Sequence, residues 1–125
     1  FQQKEEPKPA ATKTAPTTPT YTYTPPTPQS ILANINKWRA EEGNAPLQLD
    51  TTYQTVVDQL ANIYGSYLKG EITEEEERTQ SRAVWDAIPA GQWKMSMTNG
   101  YVSGPKDATR VAIGIANDTI AVIYF

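Results

Sequence analysis

Seven of the ten prolines in this 125-residue chain fall within its first 30 residues. Proline holds φ at about −65° and has no N–H to give to a helix or a strand ladder, so such a segment is excluded from the interior of a domain. From Pro7 to Pro28 the composition is Pro, Thr, Ala and Lys. That leaves too little apolar surface to offset the entropy of ordering, and extended polyproline geometry is expected. The foldable part is then about 95 residues, one domain with one small core. The expected organisation is a Pro/Thr-rich extended tail or linker over 1–29 and a single domain over 30–125.

One stretch of the tail departs from a plain spacer. Thr17 to Pro26 reads TTPTYTYTPP, and Tyr21 and Tyr23, spaced by two, fall on one face of an extended chain with threonines on the other. That alternation suits a strand added to an exposed sheet edge. Thr with Pro also makes the segment an O-glycan acceptor if the protein is exported.

Charge and missing residue types narrow the function classes. The tail carries three lysines and two glutamates, so the domain holds eight basic and twelve acidic side chains, a balance of −4. A mildly acidic domain without a basic patch argues against nucleic acid and anionic membranes as partners. There is no cysteine and no histidine, which excludes disulfides, thiolate nucleophiles, a Ser-His-Asp triad and Cys- or His-ligated metals. No cofactor or metal is expected, and catalysis would fall to carboxylates, Lys and Tyr. No run of 18 apolar residues exists to span a bilayer. A chain starting at Phe1 instead of Met fits a mature product after signal-peptide removal, or a boundary within a longer chain.

The domain itself opens on Ser30 as a helix N-cap, followed by Ile31, Leu32, Ile35 and Trp38 at helical spacing and Gly43 as the left-handed stop. Asp50 can cap a second helix with the stripe Tyr53, Val56, Val57, Leu60, Ile63, Tyr64, Tyr67 and Leu68, ending at Lys69-Gly70. Thr73 with Glu76 makes a capping box, and Glu74 to Glu77 sit where the helix dipole favours negative charge. Contiguous glutamates fan around a helix, so a solvated helix start outweighs a cation site.

Beyond Pro89 the apolar period becomes two. Trp93 to Thr98, Asn99-Gly100 and Tyr101 to Ser103 read as one hairpin; Thr109 to Ala116 and Thr119 to Phe125 read as a second around Asn117-Asp118. Val111, Ile113 and Ile115 share one strand face, and the small residues Ala112, Gly114 and Ala116 share the other, which suits a closely packed helix. The fold class is α+β: a small antiparallel sheet covered by about three helices.

The stretch Ile35-Asn36, Arg39, Gly43, Pro46-Leu47 and Leu49-Asp50, with the later Val111-Ala112-Ile113-Gly114-Ile115-Ala116, resembles the CAP superfamily of cysteine-rich secretory, antigen 5 and pathogenesis-related-1 (SCP-like) proteins. The family's first helix reads I-N-x-x-R-x-x-x-G-x-x-P-L and leads through L-D into a second helix; a V-G-I-G-V-A strand comes near its end. The resemblance covers Ser30 to Phe125 with a shortened middle and implies an α-β-α sandwich. It also implies a cleft with two histidines, but Gln92 stands at one of those positions, Ile72 or Thr73 at the other, and no G-E-N segment supplies the family glutamate. A cleft of this kind would be stripped of its imidazoles.

Aromatic side chains at the same rim, Trp85, Trp93 and Tyr101, still offer contact area, with core packing favoured for Trp85. The candidate binding residues are Gln92, Trp93 and Tyr101, with Tyr21 and Tyr23 as candidate docking residues of the tail. Asn117-Asp118-Thr119 is a glycosylation sequon that is equally a turn signal. The expected function is a non-enzymatic, exported CAP-like module on a Pro/Thr spacer, binding a protein or glycan at the cell surface in an adhesive role. The alternative is a structural subunit of an extracellular filament or homo-oligomer, in which Thr20 to Thr24 docks on a neighbour. A carboxylate-only hydrolase drawing on Glu71, Glu74 to Glu77 and Asp86 ranks below both, since nothing in the spacing makes these residues converge.

Overall fold

The structure, a computed structural model, describes residues 24–125. Helix α1, Pro28–Glu41, begins ahead of its expected start. Thr27 is the N-cap, accepting from the Ser30 N–H at 3.1 Å, while Ser30 Oγ accepts from the Thr27 N–H at 2.9 Å. Ser30 is therefore the third helical residue of a reciprocal capping box, and Pro28 occupies the first turn, where its missing N–H has no intrahelical partner to lose. Gly43, at φ +79°, ends the helix as expected.

The buried stripe of α1 is Ile31, Ile35 and Arg39. Trp38 stays outside, 37% exposed. Just past the helix, the Asn36 amide grips the Leu47 backbone in both directions, receiving its N–H at 2.7 Å and donating to its carbonyl at 3.0 Å. This positions β1, Gln48–Leu49.

Asp50 does not cap the second helix. Its Oδ1 accepts from the Thr52 N–H at 2.7 Å and its other oxygen pairs with Arg110, so its carboxylate is already engaged. Helix α2, Gln54–Leu68, starts without a side-chain cap. Helix α3, Glu74–Trp85, carries the expected box, with Thr73 accepting from the Glu76 N–H at 3.1 Å and Glu76 Oε1 accepting from the Thr73 N–H at 2.8 Å.

The remaining strands are β2, Met95–Thr98, β3, Arg110–Ala116, and β4, Thr119–Tyr124. They form one sheet in the order β1-β3-β4-β2. The β3–β4 hairpin closes where expected, with Asn117 and Asp118 both at positive φ, 51° and 63°. Two expectations fail. The sheet is not wholly antiparallel, because β1 runs parallel to β3, with Asn36 fixing the approach. Nor does β2 pair with Tyr101 to Ser103; it lies antiparallel to β4, in the register Met95↔Tyr124 to Thr98↔Ala121. The extended backbone of β4 buries more apolar surface against β2 than a three-residue partner would.

The sheet divides two cores. Val111, Ile113, Val122 and Tyr124 pack with Ile31 and Ile35 of α1. Ala112, Ala121, Ile123 and Phe125 pack with Val56, Val57, Leu60 and Ala61 of α2. The small-residue face of β3 receives a helix as anticipated: a Cβ on Gly114 would stand 2.6 Å from the Val57 backbone. Among the described residues no helix is long and apolar enough to cross a membrane.

Candidate functional site

The chain leaving α3 turns through a buried Ile88 and brings Gln92 and Trp93 to the surface just before β2. Trp93 is 39% exposed, and its ring rests against Trp85 with centroids 4.7 Å apart and planes tilted by 39°. Trp85 is half-buried against the α2 core, so one indole is anchored and supports the other. Beside them, Gln92 Oε1 accepts from the Tyr53 hydroxyl at 3.2 Å. That bond engages the amide oxygen and leaves the nitrogen, a two-hydrogen donor, without a hydrogen-bond partner among the described residues.

Tyr53 in turn stacks on Phe125, with centroids at 5.6 Å and planes 18° apart. The guanidinium of Arg110 lies 4.9 Å from the Phe125 ring centre and pairs with Asp50, a carboxylate that is buried. A continuous shelf results, from Trp93 through Gln92 and Tyr53 to Arg110. It combines flat rings with polar side chains and suits recognition of a polar ligand with apolar faces, as a sugar ring has.

Tyr101 does not belong to this shelf. It packs on the α1 side of the sheet, stacked on Trp38 with centroids at 5.5 Å, and its hydroxyl accepts from Asn34 Nδ2 at 3.0 Å. The three candidate residues thus fall on opposite faces, Gln92 and Trp93 on one and Tyr101 on the other. Tyr21 and Tyr23 lie outside the described residues. Sequence reasoning missed Tyr53, Arg110 and Phe125 as neighbours of Gln92, because their proximity arises from strand pairing between distant segments. Trp38, which shares the helical spacing of Ile31 and Ile35, lies one residue off the buried Ile31, Ile35, Arg39 row and stays outside.

Of the positions matched to family histidines, Thr73 caps the start of α3 and Gln92 lies in the loop that follows its end. The acidic run does local work: Glu76 completes the cap, Glu77 accepts from Ser81 Oγ at 2.9 Å, and Glu74 pairs with Arg78 at 3.0 Å. Among the described residues no three His, Cys, Asp or Glu side chains converge as a metal would require. In the sequon, Asn117 Nδ2 donates to Asn62 Oδ1 at 3.0 Å, Thr119 is buried, and Asn117 and Asp118 form the β3–β4 turn.

Away from this shelf, a concavity of about 690 Å³ opens between α2 and α3, floored by Ile63, Val84 and Ala116 and rimmed by Asp58, Asn62 and Gln80. It contains none of the candidate residues. Comparisons with protein-family models, with curated proteins and with solved structures find no match. Fold and site together define a small three-layer α+β domain with a supported aromatic shelf at one end of its sheet.

Proposed function

We propose that this chain is a non-enzymatic, exported binding module of CAP-like type, carried on its Pro/Thr-rich segment and holding a glycan or protein at a cell surface. The supporting observation is Trp93: a large indole left 39% exposed, braced at 4.7 Å by a second indole and flanked by the Gln92 amide. An unliganded monomer gains nothing from exposing an indole that a second indole holds in place, whereas a ligand stacking on it finds the ring already ordered. The CAP-like reading rests on the sequence spacing of Arg39, Gly43, Pro46, Leu47, Leu49 and Asp50.

The test is retention of the purified chain on a glycan array and on insoluble cell-wall polysaccharide, compared with Trp93→Ala. Loss of roughly one aromatic stacking contact should weaken retention about tenfold. Equal retention of both proteins rejects the shelf as the site. A second reading, a subunit of a filament or surface assembly joined through the tail, is favoured by one observation: among the described residues no strand pairs with the outer side of β2.

A further inference from the structure

Among the described residues the sheet has two edges. β1 closes one with only two residues, and β2 forms the other, with β4 on one side and no strand on the other. The phase of the ladder follows from the Asn99 N–H, which donates to the Ile120 carbonyl at 2.6 Å. Asn99, Met97 and Met95 are then the hydrogen-bonded positions facing β4, and Ser96 and Thr98 aim their N–H and C=O groups outward. Both residues are exposed. Natural edges are blunted by short length, charge, proline or a bulge; β2 has four residues, and at its start the Lys94 N–H donates to the Tyr124 carbonyl at 2.8 Å, one residue out of the ladder's register, which leaves Ser96 and Thr98 as the open part of the edge. The nearby Lys94 is turned toward Asp107, at 3.6 Å, and the outward positions themselves are uncharged.

The two faces of β2 differ. Met95 and Met97 are half-buried on the α1 side, next to Tyr101, with Val102 nearby in sequence and 37% exposed. Ser96 and Thr98 direct their side chains to the α3 side, beside Ser81 and Trp85. We propose that this edge is filled by Thr20–Thr24 of a second copy of the chain, added as a fifth strand. The proposal rests on the second reading above and adds which edge receives the tail.

Chemistry, length and reach support it. Tyr21 and Tyr23 alternate with Thr20, Thr22 and Thr24, so a paired strand sets its rings against the methionine sulfurs and its hydroxyls against Ser96 and Thr98. Five residues match a four-residue edge. Reach decides between copies. From Thr24 the chain passes Pro25, Pro26 and an extended Thr27, φ −122°, into α1, which packs on β1 and β3. A strand beyond β2 lies three strand spacings from β3, about 14 Å, and one layer of about 10 Å below the helix, so roughly 17 Å must be bridged. The four steps from Thr24 to Pro28 span at most about 14 Å. A strand that includes Thr24 falls short of its own edge by about 3 Å, roughly one residue, and a neighbour's tail meets no such limit.

Molar mass by light scattering over a range of concentrations tests this with the full chain, a chain beginning at Thr24, the full-length double variant Tyr21→Ser/Tyr23→Ser, and full-length Ser96→Pro. The Ser96 N–H points outward, so proline there removes a donor from the open edge and none from the β4 ladder. A peptide of residues 17–26, titrated into the Thr24 chain and followed by amide shifts, covers the case in which Ser96→Pro fails to fold. The full chain should associate, truncation and the tyrosine changes should abolish it, and Ser96→Pro should weaken it tenfold or more. The peptide should shift the Ser96 and Thr98 amides first. A full chain that stays monomeric at millimolar concentration overturns both the assembly reading and the exchange between copies. Association that survives in a folded Ser96→Pro, or peptide shifts confined to another surface, overturns the edge alone. A monomer whose Ser96 and Thr98 amides lose protection on truncation places the tail on its own edge and overturns the exchange between copies.

Discussion

Arg39 is the largest side chain sealed inside the described part of the molecule, and no carboxylate accompanies it. Its guanidinium donates instead to five backbone carbonyls: Ala45 at 2.6 Å, Ser103 at 2.8 Å, Pro105 at 2.9 Å, Lys106 at 3.2 Å and Ala108 at 3.3 Å. Only the forked, five-donor geometry of arginine reaches both the turn after α1 and the loop leading into β3. Removing it strands several buried acceptors at once, each costing about 1–3 kcal/mol. Arg39→Met should therefore lose about 3 kcal/mol or more in urea unfolding, with Arg39→Lys between it and the parent. A lysine variant as stable as the parent would show that the carbonyl cage is not what holds the loop. The position was legible in the spacing Ile31, Ile35, Arg39, four residues apart. Hydrophobicity pointed to Trp38 instead, and the local sequence carries no sign that five carbonyls will converge.

At the scale of elements, the α3 cap, the Gly43 stop of α1 and the β3–β4 turn were readable because each is specified within about four residues, whereas the starts of α1 and α2 were not, because Thr27 takes the first cap and Asp50 is drawn to Arg110. Thr73 with Glu76 and Asn117 with Asp118 behave as their local chemistry requires. Pairing between distant segments was not readable: β1 is only two residues long, and β2 prefers β4 to its sequence neighbour. The contact of α2 with the sheet is tightest at Gly114, where an added Cβ would stand 2.6 Å from both the carbonyl carbon and the carbonyl oxygen of Val57, rigid helix backbone on a packed face. Gly65, inside α2, is the informative contrast. Its added Cβ would meet Thr119 Oγ1 at 3.0 Å, and alanine there gains up to about 1 kcal/mol of helix propensity. Gly114→Ala should cost about 1–3 kcal/mol, whereas Gly65→Ala should lie close to neutral. Thermal unfolding of the two variants side by side checks this, and equal losses would mean that the α2 interface yields as a whole.

For the whole molecule, the phenol of Tyr124 joins the layers. It sits at the end of β4, its hydroxyl bonds to the Val102 carbonyl and accepts from the Val102 N–H at 3.2 Å, and its ring leaves no room for a Cβ on Gly104. Burial pushes its pKa above the ordinary 10.0, outweighing the Val102 carbonyl bond and the charge of Arg39, which pull it down; Tyr101 adds slightly to the rise. The unfolded chain then loses this proton near pH 10 while the folded one keeps it. Stability is complete below pH 10 and falls as the pH rises above it. Urea titrations from pH 8 to 11 should show that decline in the parent and a shallower one in Tyr124→Phe; matching slopes would assign the decline to other groups. Pattern alone determined the α+β class, the three helices, the β3–β4 hairpin and the small face that admits α2, because each is encoded by residues near one another in the chain. The tertiary structure decided the parallel β1, the partner of β2, the separation of Tyr101 from Trp93 by the sheet, and the assembly of Tyr53, Gln92, Arg110 and Phe125 into one shelf. These depend on which distant segments bury the most surface together, and that free energy is a property of the packed layers, not of any local run of sequence.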